Sequence, residues 1–388
     1  MFLGDVLAKL LQLYPKYGLR IVRGYMQYVW DDKGNRYLDL HTGYGTAFLG
    51  HSNPKIVEKV YEQMRKIMVA SYSFDIDSRD ESIEALSKIL PKKLEYVFFQ
   101  NSGTEAVEAA LKFSRKYTGR KKFVAFTNSF HGRTMGSLSL TWNPKYRKPF
   151  EPLLKDVVFL RFNDVFGVER FVDEETAAVI VEVVQGEGGL NVATKEFLKT
   201  IREKCNETGC TVIFDEVQTG FGRTGKIWAH QHYGIEPDIL VAGKAIGGGF
   251  PVSLVAVSSE IGESLEPGEH GTTYGGNPVA CAAISASVNV LLKDNVAEKA
   301  RETGKYFRER LGKIVPKEKI KGLGLMLGID LGENPELTIK LLLNEKIISL
   351  KAGETVLRFL PPYMITREDI NYVVKVLSNV LSGKNYPS

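Results

Sequence analysis

Residues 211–225 read Thr-Val-Ile-Phe-Asp-Glu-Val-Gln-Thr-Gly-Phe-Gly-Arg-Thr-Gly, and residues 242–245 read Ala-Gly-Lys-Ala. An apolar run ends at Asp215, and a second short apolar run leads to Lys244 in a glycine-rich turn. Short apolar runs that are bounded by turn residues are typical of buried strands. The sequence therefore predicts two strands, of which one delivers a carboxylate and the other an amine.

One cofactor, pyridoxal phosphate (PLP), needs both of these groups. Its aldehyde bonds to a lysine amine, and its pyridine nitrogen needs an acid to stay protonated. A lysine in a partly desolvated site has a lowered pKa and becomes a usable nucleophile and base. Each residue alone has a simpler interpretation, namely a salt bridge for Asp215 and an ordinary loop position for Lys244. The glycines at 247–249 lack the spacing of a nucleotide-triphosphate loop, which we exclude.

Strands alternate with helices along much of the chain. Near-continuous apolar strands of this kind predict an α/β fold with a mostly parallel sheet, followed by a smaller α+β domain. The predicted strands are 96–100, 122–126, 177–184, 212–214, 239–241, 252–257, 325–331 and 356–359, with a hairpin at 28–39. The predicted helices are 54–68, 103–117, 195–208, 278–292 and 367–381. We expect an N-terminal segment (1–48) that packs with the small domain, a large PLP-binding domain (49–268) and a C-terminal small domain (269–388).

The composition is that of an ordinary soluble protein, with 388 residues, 44% hydrophobic and 25% charged. No apolar run is long enough to span a bilayer, and the N-terminus lacks the features of a signal peptide, so we expect no membrane partner. The net charge of +5 is mild, and we expect no nucleic-acid partner. The three cysteines have no histidine at ligand spacing, which predicts no metal site and a reducing, cytoplasmic setting.

Two further motifs lie where predicted strands end. Residues 101–106, Asn-Ser-Gly-Thr-Glu-Ala, open a helix whose N-terminus offers N–H groups to an anion, and Gly103 permits a close approach. A plain helix cap at Ser102 would also explain this motif. Phe130 is suited to cover one face of a planar ring, and Arg133 to hold a carboxylate. Core packing and a surface ion pair are the simpler interpretations of these two residues.

Two glycine-rich loops complete the set. Residues 182–189, Glu-Val-Val-Gln-Gly-Glu-Gly-Gly, follow the predicted strand 177–184. Glu182 is costly to bury without a task or a partner, whereas Glu187 lies in the loop and is freer to change partners. Residues 271–278, Gly-Thr-Thr-Tyr-Gly-Gly-Asn-Pro, precede a helix. A hydroxyl in this loop is suited to donate to a phosphate, although a simple turn is an equal alternative.

Together these motifs resemble those of the class III PLP-dependent aminotransferases, of the acetylornithine and ornithine aminotransferase type. The resemblance runs in order from about residue 17 to the C-terminal helix. It implies a fold-type I PLP enzyme, built as a homodimer with active sites at the subunit interface. The matching motifs are residues 101–106, 130–134, 181–189, 214–220, 243–245 and 271–278.

The resemblance implies a role for each cofactor residue. Lys244 would bond to the cofactor and move the proton between substrate and cofactor, and Asp215 would pair with the pyridinium nitrogen. Phe130 would stack on the ring, and Gln218 would meet its 3-hydroxyl. The phosphate would be held by Ser102, Gly103 and Thr104, together with Thr273 of the neighbouring subunit.

The resemblance also implies how two substrates share one pocket. Arg358 would bind the α-carboxylate of glutamate, and Glu187 would neutralise that arginine while the other substrate is bound. Arg133 would hold the second carboxylate. Tyr44 would shape the pocket, and Thr272 would bind substrate. Such a movable acid is physically reasonable, because an unpaired buried arginine is expensive.

Among these enzymes the chain looks most like the archaeal [LysW]-lysine/ornithine aminotransferases. Their function would be transfer of a terminal amino group between lysine or ornithine linked to a small acidic carrier protein and 2-oxoglutarate/glutamate, in lysine and arginine biosynthesis. The alternatives are an N-acetylornithine aminotransferase and a glutamate-semialdehyde aminomutase, which would not need the Glu187–Arg358 pair. A cofactor-binding regulator without amine transfer is the non-enzymatic alternative.

A cluster of basic residues bears on the carrier. It lies within residues 116–122, at the end of one predicted helix and the start of the next strand. One interpretation is a solvated helix end, and the other is a docking patch for an acidic partner. The cluster consists of Lys116, Arg120, Lys121 and Lys122.

Overall fold

The computed structural model describes residues 8–383. A large sheet of seven strands is accompanied by two sheets of four strands each. The strands are Ile21–Tyr25 (β1), Tyr28–Asp31 (β2), Arg36–Asp39 (β3), Tyr96–Gln100 (β4), Lys122–Phe126 (β5), Val157–Leu160 (β6), Thr176–Val181 (β7), Thr211–Asp215 (β8), Ile239–Ala242 (β9), Ser253–Val257 (β10), Ile320–Leu323 (β11), Met326–Asp330 (β12), Ile347–Ile348 (β13), Leu350–Ala352 (β14) and Val356–Phe359 (β15).

Helices cover the sheets and connect their strands. The α-helices are Pro54–Lys66 (α1), Asp77–Ser87 (α2), Gly103–Thr118 (α3), Met135–Ser139 (α4), Pro144–Arg147 (α5), Val165–Phe171 (α6), Lys195–Thr208 (α7), Ser259–Glu263 (α8), Pro278–Lys293 (α9), Val296–Leu311 (α10), Glu336–Asn344 (α11) and Arg367–Leu381 (α12). Short 3₁₀ helices lie at Lys148–Phe150, Ala229–His232, Lys244–Gly247 and Lys317–Lys319. No single helix among residues 8–383 is long and apolar enough to cross a membrane, although the bent pair α9 and α10 would reach that length together.

The large sheet has the order β4-β10-β9-β8-β7-β5-β6. The pairs from β9 to β6 are parallel, and β10 is antiparallel to both of its neighbours. Every residue of β7, β8, β9 and β10 is buried. A parallel sheet is stable when helices cover both faces, which explains the near-continuous apolar runs of the sequence. The predicted α/β fold with a mostly parallel sheet is therefore confirmed.

One of the smaller sheets joins N-terminal strands to a C-terminal strand, and the other consists of C-terminal strands only. The predicted hairpin at 28–39 forms β2 and β3, and β3 pairs in parallel with β13, which brings Leu38 opposite Ile347. The other sheet has the order β11-β12-β15-β14 and is antiparallel. The first and last residues of the predicted domains, 1–7 and 384–388, lie outside the described residues. The three domain boundaries stay predictions.

One predicted strand is too long. The apolar run suggested a strand from 177 to 184, but β7 ends at Val181. Beyond that point the backbone of Val183 accepts a hydrogen bond from Ala193, and Val184 forms an isolated bridge with Val192. The chain therefore leaves the sheet while its side chains stay buried, so an apolar run alone misplaces the end of the strand.

Candidate active site

The predicted site residues meet at one edge of the large sheet. Asp215 is the last residue of β8, and Lys244 follows β9 after a single glycine. Phe130 follows β5 and Ser102 follows β4, both after short turns. Ligands of open α/β sheets bind outside the carboxyl ends of the parallel strands. The topology therefore gathers residues that are far apart in the sequence.

Lys244 has an unusual backbone and an unusual amine. Its φ is +50°, in the left-handed region that side chains other than glycine rarely adopt. Burial lowers the pKa of Lys244 from 10.5 to about 8; Glu187 opposes this shift and Arg358 adds to it. Within residues 8–383 the amine forms no hydrogen bond or ion pair. A partly neutral amine that is carried on a strained backbone is suited to nucleophilic chemistry.

Asp215 is buried and has a partner that the sequence did not reveal. Its Oδ2 accepts a hydrogen bond from Nδ1 of His131 at 2.8 Å, and its Oδ1 accepts one from the backbone N–H of Val217 at 3.1 Å. The other ring nitrogen of His131 is buried without a hydrogen-bond partner among the described residues. His131 and Asp215 are 84 positions apart, so no local pattern links them.

Glu182 is a second buried acid in this cluster. Its carboxylate accepts hydrogen bonds from the backbone N–H groups of Phe130 (3.0 Å) and Gly186 (3.1 Å). Burial raises the pKa of Glu182 to about 7; His131 opposes this shift, and Asp215 adds to it. Glu182 thereby fixes the backbone of two of the predicted site loops. The sequence indicated that burying this acid would be costly, but not which loops it holds.

The predicted anion site lies at the start of α3. Glu105 accepts hydrogen bonds from the N–H groups of Asn101 and Ser102, both at 2.8 Å. The first N–H groups of a helix have no partner within it, so those of Gly103 and Thr104 point outward for an anion. A Cβ at Gly103 would lie 2.8 Å from Val217, so close packing requires glycine there. The helix cap is thus present, and it leaves the N–H groups that the predicted anion site would use; the anion site stays a prediction.

The hydroxyl of Thr104 has other partners. Thr104 Oγ1 lies 2.8 Å from Thr134 Oγ1 and 2.6 Å from Ser137 Oγ, and it accepts the N–H of Arg133 at 3.2 Å. This network buttresses the loop at 130–134. A backbone contact from Thr104 to an anion is therefore more consistent with the geometry than the hydroxyl contact expected from the sequence.

Arg358 is fully buried and forms an ion pair with Glu187. Its Nη2 lies 2.7 Å from Glu187 Oε1, while its Nη1 donates to the carbonyl of Gly186 at 2.6 Å and to Gln218 Oε1 at 3.1 Å. Burial alone would raise the pKa of Glu187, but Arg358 and Lys244 lower it below its ordinary value. Glu187 is thus a charged partner of the arginine, and its movement stays a prediction.

Gln218 has two protein partners that the sequence did not predict. Its amide oxygen accepts from Arg358, and its amide nitrogen donates to the carbonyl of Tyr44 at 3.3 Å. A Cβ at Gly186 would lie 2.2 Å from the same amide oxygen, so this packing requires glycine. Gln218 therefore connects the arginine to the turn that carries Tyr44, in addition to any contact with a cofactor.

Arg133 and Phe130 lie together beside α5. The guanidinium of Arg133 stacks over the ring of Tyr146 at 3.7 Å and lies 5.5 Å from the ring of Phe130. Arg133 is exposed and forms no ion pair within residues 8–383. Its positive charge is therefore available to a carboxylate at the entrance of the site.

The loop that carries Thr272 and Thr273 lies beside the start of α3. Thr272 Oγ1 accepts hydrogen bonds from Asn101 Nδ2 at 3.3 Å and from the N–H of Gly275 at 3.1 Å. Thr273 is exposed, next to Tyr274, whose side chain is 60% exposed. Thr273 thus has the surface position that a contribution to a neighbouring subunit would need.

The basic cluster of residues 116–122 lies on the wrong side of the sheet for docking at this site. Lys122 begins β5, whereas the site lies beyond the other end of that strand, about 16 Å away at ~3.3 Å per residue. Lys116 pairs with Glu269 at 2.6 Å, and Lys122 pairs with Asp173 at 2.5 Å. These positions and ion pairs favour the interpretation as a solvated helix end, and docking at this cluster stays a prediction.

These residues fit PLP. A buried carboxylate, an amine with a lowered pKa, an aromatic ring and a helix N-terminus match the nitrogen, the aldehyde, the ring and the phosphate of that cofactor. Nε2 of His131, beside Asp215, is a buried polar atom without a hydrogen-bond partner among residues 8–383, which is consistent with a site that is completed by a bound group. The arrangement supports chemistry at the α-position of an amine.

We predict that the amine of Lys244 reacts with small aldehydes at unusually low pH. Since its pKa is lowered to about 8, the neutral amine predominates above that pH instead of above 10.5. Reductive alkylation of cofactor-free protein across a pH series, followed by peptide mass spectrometry, should show half-maximal labelling of Lys244 near that value. The variant Lys244→Arg is the control for site assignment. A midpoint near 10.5 would contradict the burial argument.

A profile of the family Aminotransferase class-III matches residues 14–381. The chain is 54% identical over 366 residues to the [LysW]-aminoadipate semialdehyde/glutamate semialdehyde transaminase of Sulfurisphaera tokodaii, covering 93% of this chain and 94% of that one. It is 45% identical over 370 residues to the acetylornithine aminotransferase of Archaeoglobus fulgidus, covering 95% and 97% of the two chains.

A solved structure of similar fold also has the cofactor. The ornithine aminotransferase of Toxoplasma gondii, crystallised with oxidised glutathione, superposes with a TM-score of 0.91 at 29% identity, over 96% of this chain and 91% of that one. Its active site contains PLP at partial occupancy. With the matching profile and the fitting site, these similarities show that the chain belongs to the class III aminotransferases, enzymes that depend on pyridoxal phosphate.

Proposed function

We propose that this aminotransferase moves a terminal amino group between carrier-linked lysine or ornithine, which becomes the semialdehyde, and 2-oxoglutarate, which becomes glutamate. The observation that carries the exchange between a terminal amine and 2-oxoglutarate is the buried Arg358–Glu187 pair at 2.7 Å. The carrier-linked form of the amine is supported by the relative of Sulfurisphaera tokodaii, whose name specifies [LysW]-linked semialdehydes. This function would place the enzyme in lysine and arginine biosynthesis.

The cofactor roles follow from the site. Bound PLP would supply the aldehyde that takes up the amino group and a ring that withdraws electrons. Lys244 would hold the cofactor and then shuttle the proton, and Asp215, aligned by His131, would face the ring nitrogen. Phe130 would cover the ring. The phosphate would lie against Ser102, Gly103 and the backbone of Thr104, with Thr273 of a second subunit.

The Arg358–Glu187 pair explains how one pocket accepts two unlike substrates. A terminal amine brings no carboxylate to this depth, so Glu187 keeps the buried charge of Arg358 compensated. Glutamate brings its own α-carboxylate, which would displace Glu187 into the half-exposed space of its loop. Arg133 would hold the second carboxylate, while Tyr44 and Thr272 lie at the border of the pocket.

The alternative substrate is N-acetylornithine, which the 45% identical relative of Archaeoglobus fulgidus uses according to its name. The same pair would serve it, since its carboxylate also lies far from the amine. A glutamate-semialdehyde aminomutase is less consistent with the site, because one substrate would have no need of an acid that moves. Three free, buried cysteines support a cytoplasmic location, which cell fractionation would test.

A carrier protein would need to dock at the mouth of the site. Basic residues lie there, on and beside α5, and none of them forms an ion pair within residues 8–383. They are exposed or half-buried, and Phe150 beside them is 57% exposed. An acidic carrier would be steered to such a surface. We call these residues the mouth cluster: Arg133, Lys145, Arg147 and Lys148.

A second copy of this chain is the partner that we propose for an apolar surface on α1. Val57, Tyr61 and Met64, spaced four and three residues apart, are 50%, 61% and 43% exposed. The segment after α1 continues the surface with Met68 and Phe74, which are 52% and 66% exposed. Contiguous exposed apolar side chains of this kind mark protein interfaces. A homodimer would also bring Thr273 to a neighbouring site.

The function is tested by a screen of half-reactions. The PLP-loaded enzyme is mixed with free, acetylated and LysW-linked lysine and ornithine, and the loss of cofactor absorbance is followed. We expect the LysW-linked amines to react with the highest kcat/KM. Preference for N-acetylornithine would support the alternative, and no reaction with any of these amines would overturn the proposed activity.

The mouth cluster gives this screen a matched control. Lys145→Glu with Lys148→Glu should lower kcat/KM for LysW-linked amines about tenfold at low salt, because electrostatic steering is lost, and leave free amines unchanged. Lys121→Glu reverses an exposed charge on the opposite edge of the sheet and should change kcat/KM neither for LysW-linked amines nor for free amines. Equal rates for all three proteins with the linked amine would remove the mouth cluster from carrier docking.

Substitutions in the ion pair should separate the two half-reactions. Arg358→Ala should slow the glutamate half-reaction about a hundredfold more than the terminal-amine half-reaction, because the α-carboxylate of glutamate loses its charge-assisted pair with a buried arginine. Glu187→Ala should do the reverse and slow the terminal-amine half-reaction, since Arg358 is then left uncompensated. Stopped-flow absorbance measures each half-reaction separately. Equal losses in both half-reactions for either variant would contradict the alternating pair.

The apolar surface predicts the oligomeric state. The wild-type enzyme should be a dimer by light scattering, and Tyr61→Glu with Met64→Glu should shift it toward the monomer, because two buried charges without partners are costly in an interface. Phe166→Glu is the control, since Phe166 on α6 is even more exposed, at 67%. A monomeric wild type would refute the second-copy partner.

A further inference from the structure

The turn that carries Tyr44 has a rare backbone. Four consecutive residues have positive φ, namely Thr42 (46°), Gly43 (60°), Tyr44 (59°) and Gly45 (93°). Glycine adopts such angles freely, but threonine and tyrosine rarely do. A strained turn persists only when the surrounding structure holds it, and such strain is concentrated at functional sites. The contacts that hold this turn therefore decide where Tyr44 points.

Most of these contacts hold the two ends of the turn. Asp39 accepts the N–H of Thr42 at 2.9 Å, and the hydroxyl of Thr42 donates to the carbonyl of Leu360 at 2.6 Å. At the other end, the buried Arg223 donates to the carbonyl of Gly45 at 3.1 Å. These groups belong to the core between the N-terminal segment and the C-terminal part. They fix the position of the turn but not the amide of Tyr44.

The amide of Tyr44 is held by His41. Its N–H donates to Nδ1 of His41 at 3.1 Å, and the two rings meet edge to face with centroids 4.3 Å apart. The ring of Tyr17 meets the other side of His41 at 6.1 Å. His41 must be unprotonated at Nδ1 to accept this bond, and its burial lowers the pKa of the ring, which favours that form.

Tyr44 lies beside the alternating pair. Its carbonyl accepts the hydrogen bond from Gln218, which itself contacts Arg358, and its phenol interacts electrostatically with Glu187 and Arg358. The side chain is 39% exposed, so one part of the ring faces the entrance. Lys244 also interacts electrostatically with Glu187, so a substrate that extends from Lys244 past Glu187 would meet this ring.

We propose that His41 is a positioning residue for the amine substrate. Its Nδ1 lone pair fixes the amide of Tyr44 and its ring supports the phenol, so that the strained turn presents Tyr44 to the substrate chain in one orientation. His41 acts through Tyr44 and has no part in the proton transfer. The inference rests on the proposed function, since it assumes that the terminal-amine substrate passes Tyr44.

Three variants of the PLP-loaded enzyme test His41. His41→Phe keeps a ring but removes the acceptor, and it should raise KM for the amine substrate about fivefold, the effect of one lost hydrogen bond, with kcat and KM for 2-oxoglutarate unchanged. His41→Asn places an acceptor at a similar distance from the backbone and should restore KM. His41→Gln keeps the polarity but moves the acceptor one bond farther, and should resemble phenylalanine. If His41→Phe does not fold, His41→Gln tests the positioning role in its place.

A double-variant cycle separates positioning through Tyr44 from a general structural role. Adding His41→Phe to Tyr44→Ala should not raise KM further, whereas a general loss of packing would act in both backgrounds. The absorbance of the bound cofactor should be unchanged in every variant. An unchanged KM in His41→Phe, equal losses in kcat and in both KM values, or failure of His41→Asn to restore KM would each overturn the proposal.

The assay uses an amine that the wild-type enzyme accepts in the half-reaction screen, so failure of the two ideas can be told apart. If the wild type prefers N-acetylornithine, the carrier proposal fails while the ratios between the His41 variants still test the positioning role. If the wild type accepts none of the amines, both proposals are overturned.

Discussion

The buried charge of Arg358 is the constraint on which the site depends. A guanidinium with no exposed surface must be compensated, and breaking such a pair typically costs about 3–5 kcal/mol. Here Glu187 supplies the charge at Nη2, while the carbonyl of Gly186 and the amide oxygen of Gln218 accept from Nη1; Nε has no hydrogen-bond partner among the described residues. The loop after β7, the loop after β8 and strand β15 are thereby held against one another, so these three segments form one wall of the candidate site.

Buried charges also determine the protonation of the groups on the cofactor side of the site. His131 aligns Asp215, and Glu182 has a pKa raised to about 7 because it is buried near that second acid. Lys244 is pushed toward its neutral form by burial and by Arg358, although Glu187 pulls in the opposite direction. Movement of Glu187 would therefore affect both Arg358 and Lys244. The substrate end and the cofactor end of the pocket are electrostatically connected through one loop residue.

Local patterns predicted the regular elements well. Strand 122–126, helix 195–208 and helix 367–381 agree with the structure residue for residue, because apolar period, flanking turns and caps are written in adjacent residues. The end of β7 was misplaced, since burial continues past the sheet into the loop at 182–185. The two interpretations of the cluster at 116–122 could not be separated from the sequence, because only the fold shows that these residues lie at the amino end of β5, away from the site.

The sequence by itself determined the parallel sheet, the class of cofactor and the residues at the strand ends, since each of these depends on short stretches with a fixed chemical meaning. Only the tertiary structure decided which residues are the partners of these site residues. His131 meets Asp215, Gln218 meets Arg358 and Tyr44, and His41 supports a turn of four left-handed residues. Hydrogen bonds between residues that are far apart in the chain leave no periodic signal, because the folded backbone alone sets their distance.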